Sequence, residues 1–312
     1  MTDTATTESD SAHDPLIKQI LQTFLPEFVT LFYPDIAERL DFATVEWIDK
    51  EVFTDPPGGR QRTADTVARV QTKTGEPEIL LLHIEPQRKR SSAFPFRVFE
   101  YWFLLRRRYQ IPVLPIALYL APGAGGIVTE RYTESLFGDT QLVFSYHAVG
   151  IPDLDANAYY DSDNPISSTF AALMKDKQTG DKVTRRLRIF GQESLRRMDA
   201  SRRAYLIAFV EKYLKFNARE QADFEQRLQT PEGNQVQPIM TEYERRGVAQ
   251  GVAQGKVEAL RQNIVVVMET RFGAVATPEW ERVQRIESVD ELERLFRVAL
   301  TAKDKSEILP AS

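Results

Sequence analysis

The segment Glu78–Gln87, EILLLHIEPQ, decides the fold that the sequence predicts. Its first half, Ile79–Leu82, is apolar on both faces, as in a central strand covered on both sides, and its second half alternates in polarity. Two strand-like segments precede it, Val45–Phe53 and Arg62–Thr72, and the gaps between the three segments are short enough for antiparallel hairpins. We therefore predict a three-strand meander that ends at Gln87.

Helices and two more strands complete the predicted core. Asp14-Pro15 is a favourable helix start, an N-cap acid followed by proline, and apolar residues then recur at helical spacing. After the meander, Phe94–Tyr109 has the pattern of a helix, whereas Pro112–Leu120 and Gln141–Val149 are typical of strands. This order predicts an α/β fold with a mixed sheet covered by helices. We expect the buried stripe of the helix after the meander to consist of Phe96, Phe99, Phe103 and Leu104.

The second half of the chain has the pattern of helices joined by polar loops. We expect a disordered N-terminus at 1–12, the α/β core at 13–160, a helical extension at 161–230, a linker at 231–258 and a small helical domain at 259–309. The linker contains a four-residue repeat, Gly247–Gly255. Because each glycine weakens a helix, the repeat favours a pliable linker over a helix packed on its glycines. The terminal helices have clear boundaries at Gly273, at Thr277-Pro278 and at a Ser288–Glu291 capping box.

Composition excludes several kinds of site. The chain has 312 residues and no cysteine, which excludes disulfides, a cysteine nucleophile and thiolate zinc sites. Its three histidines lie far apart in the sequence, so that a bound metal would have oxygen ligands. The sequence contains no run of about 18 apolar residues, and its first dozen residues are polar and acidic, unlike a signal peptide. We expect a cytoplasmic protein without membrane contact.

Basic residues cluster locally in a chain whose net charge is −5. Runs of this kind are either solvated helix faces or phosphate-binding surfaces, and both interpretations stay open from the charge pattern alone. The first group of basic residues surrounds the end of the meander and continues along the following helix; it comprises Arg88, Lys89, Arg90, Arg97, Arg106, Arg107 and Arg108. The second group lies in the helical extension and comprises Arg185, Arg186, Arg188, Arg196, Arg197, Arg202 and Arg203.

The candidate site combines Asp65 on the second strand of the meander with Glu85 and Gln87 on the third. Residues alternate between the faces of a strand, so Glu85 and Gln87 share a face, and an antiparallel hairpin can bring Asp65 beside Glu85. Two carboxylates a few ångströms apart repel each other unless a hard cation such as Mg²⁺ binds between them. Such an ion can activate water and neutralise charge on a phosphate. Basic residues near these acids are the layout expected for metal-dependent phosphodiester cleavage, although solvated or ion-paired acids have the same spacing.

These elements and motifs resemble a known family. Ala64-Asp65 and Glu85-Pro86-Gln87, in this order of helices and strands, are similar to the PD-(D/E)XK, or restriction-endonuclease-like, superfamily, and specifically to its Rpn branch of recombination-promoting, transposase-like nucleases. The surrounding sequence fits the same branch in the segments His13–Lys18, Leu81–Gln87, Phe96–Tyr101 and Pro112–Tyr119. The resemblance covers about half the chain, from His13 to the strand near Val149.

The resemblance implies a DNA endonuclease that uses Mg²⁺ or Mn²⁺. Asp65 and Glu85 would be metal ligands together with the main-chain carbonyl of Pro86, and Asp14 would supply an accessory acid. Gln87 stands where the superfamily usually has lysine, and an amide orients water or phosphate but is no general base. Alanine also replaces the proline of the motif before Asp65. The DNA-binding residues would be the first basic group, Arg88, Lys89, Arg90, Arg97, Arg106, Arg107 and Arg108.

Two other functions remain open from the sequence. The chain is either the expected endonuclease, or a nuclease-like DNA-binding or accessory protein that does not cleave, or a helical protein-interaction module presented by the α/β half. A homo-oligomer formed through the C-terminal helices is a further expectation. Metal binding separates the first function from the other two.

Overall fold

The structure is a computed structural model that describes residues 15–48, 52–54, 61–63, 66–73, 79–87, 91–178, 180–231, 233–275 and 277–308. For residues 52–54, 61–63, 79–87, 246 and 248–253 it describes the backbone. The chain divides into two compact units, Met1–Ile239 and Met240–Ser312. The first unit contains eight described strands, which are β1 Leu40–Ile48, β2 Val52–Thr54, β3 Gln61–Thr63, β4 Thr66–Thr72, β5 Ile79–Gln87, β6 Val113–Tyr119, β7 Ile127–Leu136 and β8 Asp139–Gly150.

Six of these strands form one mixed sheet in the order β1-β4-β5-β6-β8-β7. β1, β4 and β5 are an antiparallel meander, whereas β5, β6 and β8 are parallel to one another. β7 pairs with β8 in an antiparallel hairpin and lies at the edge of the sheet. β2 and β3 pair separately with each other. The prediction of an α/β fold with a mixed sheet is confirmed at this level.

Helices cover both faces of the six-stranded sheet. The first helices are α1 Pro15–Thr23, α2 Leu25–Phe32, α3 Pro34–Ala37 and α4 Phe94–Tyr109. α4 connects the parallel strands β5 and β6, and its Phe94 and Val98 pack on Ala117 and Tyr119 of β6. On the opposite face, α1 contacts β4, and the ring of Tyr33 lies 4.9 Å from that of His147 in β8. The sheet therefore lies between α4 and the three N-terminal helices.

A second helical layer packs outside α1 and α2. Its helices are α5 Pro165–Phe170, α6 Lys182–Phe190, α7 Glu193–Arg196, α8 Ala200–Tyr213 and α9 Ala218–Leu228, preceded by the 3₁₀ helices Ile151–Asp153 and Ala156–Ala158. Phe170 of α5 stacks on Phe32 of α2 with ring centroids 6.0 Å apart, and α8 contacts α1. The predicted helical extension is thus an outer layer on the N-terminal helices of the first unit.

The second unit has a core of its own. It is built from α10 Gln237–Phe272, which begins three residues before the unit boundary, and from α11 Thr277–Gln284, α12 Val289–Thr301 and α13 Lys305–Ile308. Ile264 and Met268 of α10 pack with Val283 of α11 and Leu292 of α12. Gly273 ends α10 at a φ of 80°. The predicted boundaries of these helices are confirmed.

The predicted linker at 231–258 differs from the structure. The four-residue repeat lies within α10, a continuous helix of 36 residues. Valine, alanine and glutamine separate the glycines of the repeat, and alanine and glutamine are strong helix formers that maintain the helix despite a cost of about 1 kcal/mol for each glycine. A Cβ placed on Gly247 or Gly255 would meet no atom within 4 Å.

The prediction of which face of α4 is buried was wrong. The structure buries Phe94, Val98, Tyr101 and Leu105, whereas Phe96 and Phe103 are 44% and 47% exposed. Helical spacing permits either stripe, and the number of aromatic residues favoured the wrong one. α4 consequently presents phenylalanine rings to solvent.

Candidate functional site

Glu85, Pro86 and Gln87 form the end of β5. Glu85 pairs with Ala117 of β6, Pro86 with Leu118 and Gln87 with Tyr119. These positions are at the carboxyl ends of parallel strands, where ligands of open α/β sheets characteristically bind. The structure describes the backbone at these three residues.

The pairing of β4 with β5 fixes the register next to Asp65. Thr66, the residue after Asp65 in the sequence, pairs with Ile84, the residue before Glu85. The antiparallel ladder is regular from this pair to Gln71 and Ile79. Asp65 itself and Asp14 lie outside the described residues.

The N-terminus of α4 lies beside this end of the sheet. The ring of Phe94, the first residue of α4, is 5.4 Å from the ring of Tyr119, the register partner of Gln87. The first turn of α4 contains no acid. Its N-cap residue is Ala93, and no side-chain hydrogen bond caps the helix. The positive end of the helix dipole therefore faces the carboxyl ends of the parallel strands without a neighbouring carboxylate on its own helix.

Arg97 is the described base at this end of α4. Its guanidinium carbon lies 5.0 Å from the centre of the Phe94 ring, and its side chain is partly exposed. Arg97 thus lies in the first turns of the helix, near the end of the sheet that contains Glu85. Arg88, Lys89 and Arg90 lie outside the described residues.

Arg106, Arg107 and Arg108 lie at the other end of α4. Tyr109, the last residue of the helix, packs near Val113, the first residue of β6, in the cluster formed by Val67 and Leu105. The helix rises about 20 Å between Phe94 and Arg107. Arg97 and the three arginines 106–108 are therefore spread along the length of the helix.

A carboxylate that the sequence prediction missed binds Tyr119, the register partner of Gln87. Glu130 of β7 accepts hydrogen bonds on Oε2 from the hydroxyls of Tyr119 and Tyr146, both at 2.6 Å. Burial and the bond to Glu130 raise the pKa of Tyr146. Both phenols are thus neutral donors to one carboxylate, which ties the edge strand β7 to β6 and β8. Alternating polarity in Ile127–Leu136 was the signal for this strand.

The described part of the chain contains no group of three acidic or histidine side chains that could hold a metal ion. Asp14 and Asp65 are outside that part, and the side chain of Glu85 is not described. Equally, none of the described helices is long and apolar enough to cross a membrane.

The arginines of the helical layer bind protein groups. Arg186 is 4% exposed, donates to the carbonyl of Leu214 at 2.5 Å, and its guanidinium carbon lies 3.5 Å from the centre of the Phe216 ring. Burial lowers its pKa. Arg185 donates to the carbonyls of Ala171 and Met174 at 2.6 and 3.1 Å. The interpretation of this pair as a solvated face is wrong, because both side chains replace water with buried carbonyl partners.

The loop after β6 is closed by Asp153. Its Oδ2 accepts the N–H groups of Gly123 and Gly125 at 2.7 and 2.9 Å, and its Oδ1 accepts Lys175 Nζ at 3.1 Å. Burial raises the pKa of Asp153, but the hydrogen bonds from Gly125, Lys175, Gly123 and Ala124 outweigh it and lower the pKa to about 2. This carboxylate occupies a concavity of backbone N–H groups that would otherwise suit a foreign anion.

An open cleft between α6 and α9 is lined by acids that have structural roles. Asp181 accepts the N–H of Thr184 at 2.8 Å and caps α6, while Glu220 belongs to the capping box of α9. Asp223 pairs with Arg227 at 3.1 Å. The cleft is therefore explained by the ends of two helices.

Comparisons with known proteins identify no relative: the chain matches no protein-family model, no curated protein and no solved structure.

Proposed function

We propose that the chain is a metal-dependent DNA endonuclease of the PD-(D/E)XK type, related to the Rpn branch. Its support is the combination of the Asp65 and Glu85-Pro86-Gln87 motifs with a helix, an antiparallel meander, a crossover helix and parallel strands in the expected order. The additional strand β7 pairs at the edge of this sheet and interrupts none of these elements.

The pairing of Thr66 with Ile84 carries the proposal. If the ladder continues by one residue, Asp65 comes opposite Glu85, and directly opposite residues in an antiparallel pair have Cβ atoms about 5 Å apart. Two carboxylates at that spacing can share a divalent cation. The sequence alone did not fix the register between β4 and β5. A shift of that register by one residue would turn the two acids to opposite faces of the sheet.

The chemistry of the donors fits magnesium or manganese. Asp65, Glu85 and the carbonyl of Pro86 supply oxygen, the ligand type that these hard cations prefer. When bound, the ion supplies a water of lowered pKa and neutralises charge at the phosphate. The position beside Glu85 on β6 is Ala117, whose small side chain is buried against Phe94 and Val98. The described surroundings therefore exclude water on the side of Ala117, which is fully buried.

The remaining residues in this proposal bind and orient DNA. Arg97 and the N-terminus of α4 attract a phosphate at the end of the sheet, because both carry positive charge there. Gln87 orients a water molecule or a phosphate oxygen through its amide, which does not act as a general acid or base at neutral pH. We therefore expect slow turnover that depends on the metal for its nucleophile.

Plasmid nicking tests the proposed function. Purified protein should relax supercoiled DNA with Mg²⁺ or Mn²⁺ and not with EDTA, and Asp65→Ala and Glu85→Ala should each reduce the rate by at least about a hundredfold. Glu46→Ala is the matched control, since Glu46 is an exposed acid of the same sheet, 3.8 Å from Arg69. Wild-type rates in both site variants would refute the proposal. DNA binding without any nicking would favour the non-catalytic alternative.

Gln87 variants test the role of the amide. Gln87→Ala should lower the nicking rate about tenfold or more while Mn²⁺ affinity stays within about twofold, because an orienting group acts on the water or phosphate. Gln87→Lys should keep or raise the rate. Calorimetry with Mn²⁺ is the readout that separates orientation from ligation: loss of metal binding in Gln87→Ala would make its carbonyl a ligand.

A further inference from the structure

The β7–β8 hairpin extends beyond the rest of the sheet. β6 pairs with β8 over Ile116–Tyr119, whereas β7 pairs with β8 along ten register positions as far as Leu136 and Asp139. On one face, Phe99 and Trp102 of α4 pack on Phe144 with ring centroids 5.3 and 5.2 Å away. Beyond that contact all residues from Thr133 to Gln141 are exposed. We name the turn and its neighbours, residues 134–143, the hairpin tip.

The residue at the turn of the hairpin tip is unusual in two ways. Phe137 is 96% exposed, and its φ is 53°. Gly138 follows at a φ of 92°, so the two-residue loop has the positive φ values that a type I′ turn requires. Glycine, asparagine and aspartate are the residues that favour such positions, and a bulky side chain there is strained. A phenylalanine at this position is therefore disfavoured for two reasons: its backbone conformation is strained, and its apolar ring is exposed to water.

The exposed large apolar side chains of the first unit belong to two neighbouring elements. Among the residues described up to Ile239, six large apolar side chains are at least 44% exposed, and all belong to α4 or to the β7–β8 hairpin: Phe96, Phe103, Ile127, Leu136, Phe137 and Val143. Phe103 lies towards the C-terminal end of α4, and Leu136, Phe137 and Val143 lie in the hairpin tip, and exposed apolar groups of this size are typical of interaction surfaces.

The charges of the hairpin tip and of the end of α4 are complementary. Glu134 and Asp139 lie within the hairpin tip, and both are exposed. Beyond its contact with Phe144, α4 continues past the exposed Phe103 to Arg106 and Arg107. The unit thus carries an acidic apolar tip and, at the same end, a basic apolar helix end. A two-fold symmetric pair requires such a combination, because each copy must offer both halves of the contact.

We propose that the hairpin tip of one copy docks on the C-terminal end of α4 of a second copy, and that the contact repeats across a two-fold axis. Phe137 packs against Phe103 and the guanidinium of Arg107, while Asp139 and Glu134 face Arg106 and Arg107. Such a contact combines aromatic burial, cation–π attraction and opposite charges. DNA is a poor occupant for this tip, because its two acids repel phosphate.

The symmetry doubles the contact area. A buried aromatic side chain covers about 150 Å² or more, and a stable dimer buries about 1,600 Å² in total. Two tips and two helix ends contribute four aromatic rings, about 600 Å² of that total, and Leu136 and Val143 enlarge each contact. The proposal concerns association through the first unit and does not depend on nuclease activity.

Phe137→Asn is the variant that tests the proposal. Asparagine followed by glycine is the preferred type I′ pair, so the hairpin itself should be retained or strengthened. We expect the wild type to be dimeric in analytical ultracentrifugation at micromolar concentration, and Phe137→Asn to raise the dimer dissociation constant at least about tenfold. Circular dichroism should show an unchanged fold.

A charge reversal identifies the partner surface. Arg107→Glu and Asp139→Arg should each weaken the dimer, whereas the double variant should restore it, because the opposite charges then meet again across the two-fold axis. A monomeric wild type at about 100 μM, or a dimer that neither Phe137→Asn nor Arg107→Glu weakens, would overturn the proposal. So would a monomer in which Phe137→Asn impairs only DNA binding, since DNA would then be the occupant.

Discussion

Arg106–Arg108 at the end of α4 and Arg185–Arg186 in α6 are alike in sequence and lie in different surroundings. The first group ends a helix at the surface, with Arg107 and Arg108 exposed. In the second, Arg186 is buried between Phe216, Phe224 and the carbonyl of Leu214. A run of basic residues thus reveals little until the packing of each guanidinium is known. Exposed arginines are available to phosphates or to another protein, whereas the buried ones stabilise the fold.

The largest expected effect of this difference is on stability. Arg186→Glu should lower the free energy of unfolding by more than about 3 kcal/mol, because it places an uncompensated carboxylate beside a buried carbonyl. Arg107→Glu, on an exposed helix face, should change the free energy of unfolding of the monomer by less than about 0.5 kcal/mol. Urea unfolding of both variants measures the contrast. Equal effects would mean that burial does not distinguish the two groups.

A smaller effect is expected at Asp153, a half-buried carboxylate that binds backbone N–H groups. Its pKa is lowered from 3.8 to about 2, so its contribution is present above pH 3.8 and is lost as the pH falls through about 2. Asp153→Asn should therefore destabilise the wild type by about 2 kcal/mol at neutral pH, and the difference should vanish towards pH 2. Unfolding curves between pH 2 and 7 provide the readout. A stability difference between the wild type and Asp153→Asn that does not change with pH would show that the charge of Asp153 does not stabilise the fold.

The smallest effect is on DNA affinity. In the monomer, where the proposed dimer contact does not occupy these residues, reversal of Arg106, Arg107 and Arg108 to glutamate should flatten the slope of log affinity against log salt by up to about 2.7, since each lost phosphate contact removes about 0.9. Binding to all sequences should weaken alike. Arg197→Glu is the control, because Arg197 belongs to the second basic group, is 79% exposed and pairs with Glu193 at 2.7 Å. An unchanged salt slope after the triple reversal would assign these bases to another role.

Most of the sheet could be predicted because local patterns fix it. The apolar run of β5, the turn residues before it and the helix Phe94–Tyr109 each indicate one structure. The predicted strand Val45–Phe53 is divided between β1 and β2, and Arg62–Thr72 between β3 and β4. Periodicity does not show where a strand leaves one sheet for another, because the alternation continues through the break.

Other elements could not be predicted because tertiary contacts decide them. β7 was missed because none of its ten residues is buried and the last four are all exposed, and because its pairing partner is β8. The phase of α4 depends on the sheet beneath it, and the helical state of the glycine repeat depends on the length of α10 on either side. Burial of Arg186 likewise requires Phe216 and Phe224, which follow it by 30 residues or more.

For the candidate site, the sequence predicted which residues are candidates and on which strands they lie. It did not predict the register of those strands or the residues that neighbour the candidates. The identity of Glu85 and Gln87 follows from the motif, but their partners Ala117 and Tyr119 follow from the parallel pairing with β6. Glu130 could not be connected with Tyr119 and Tyr146 without β7.

Calorimetric titration of the whole chain with Mn²⁺ tests the central claim most directly, because it measures the metal site without relying on turnover. We predict that the wild type binds Mn²⁺ and that Asp65→Asn and Glu85→Gln each weaken binding at least about tenfold, since each removes one carboxylate ligand. Glu130→Gln should bind as the wild type does, because Glu130 is engaged by two tyrosine hydroxyls. Absence of Mn²⁺ binding by the wild type, or equal binding by all three variants, would contradict the assignment of Asp65 and Glu85 as metal ligands.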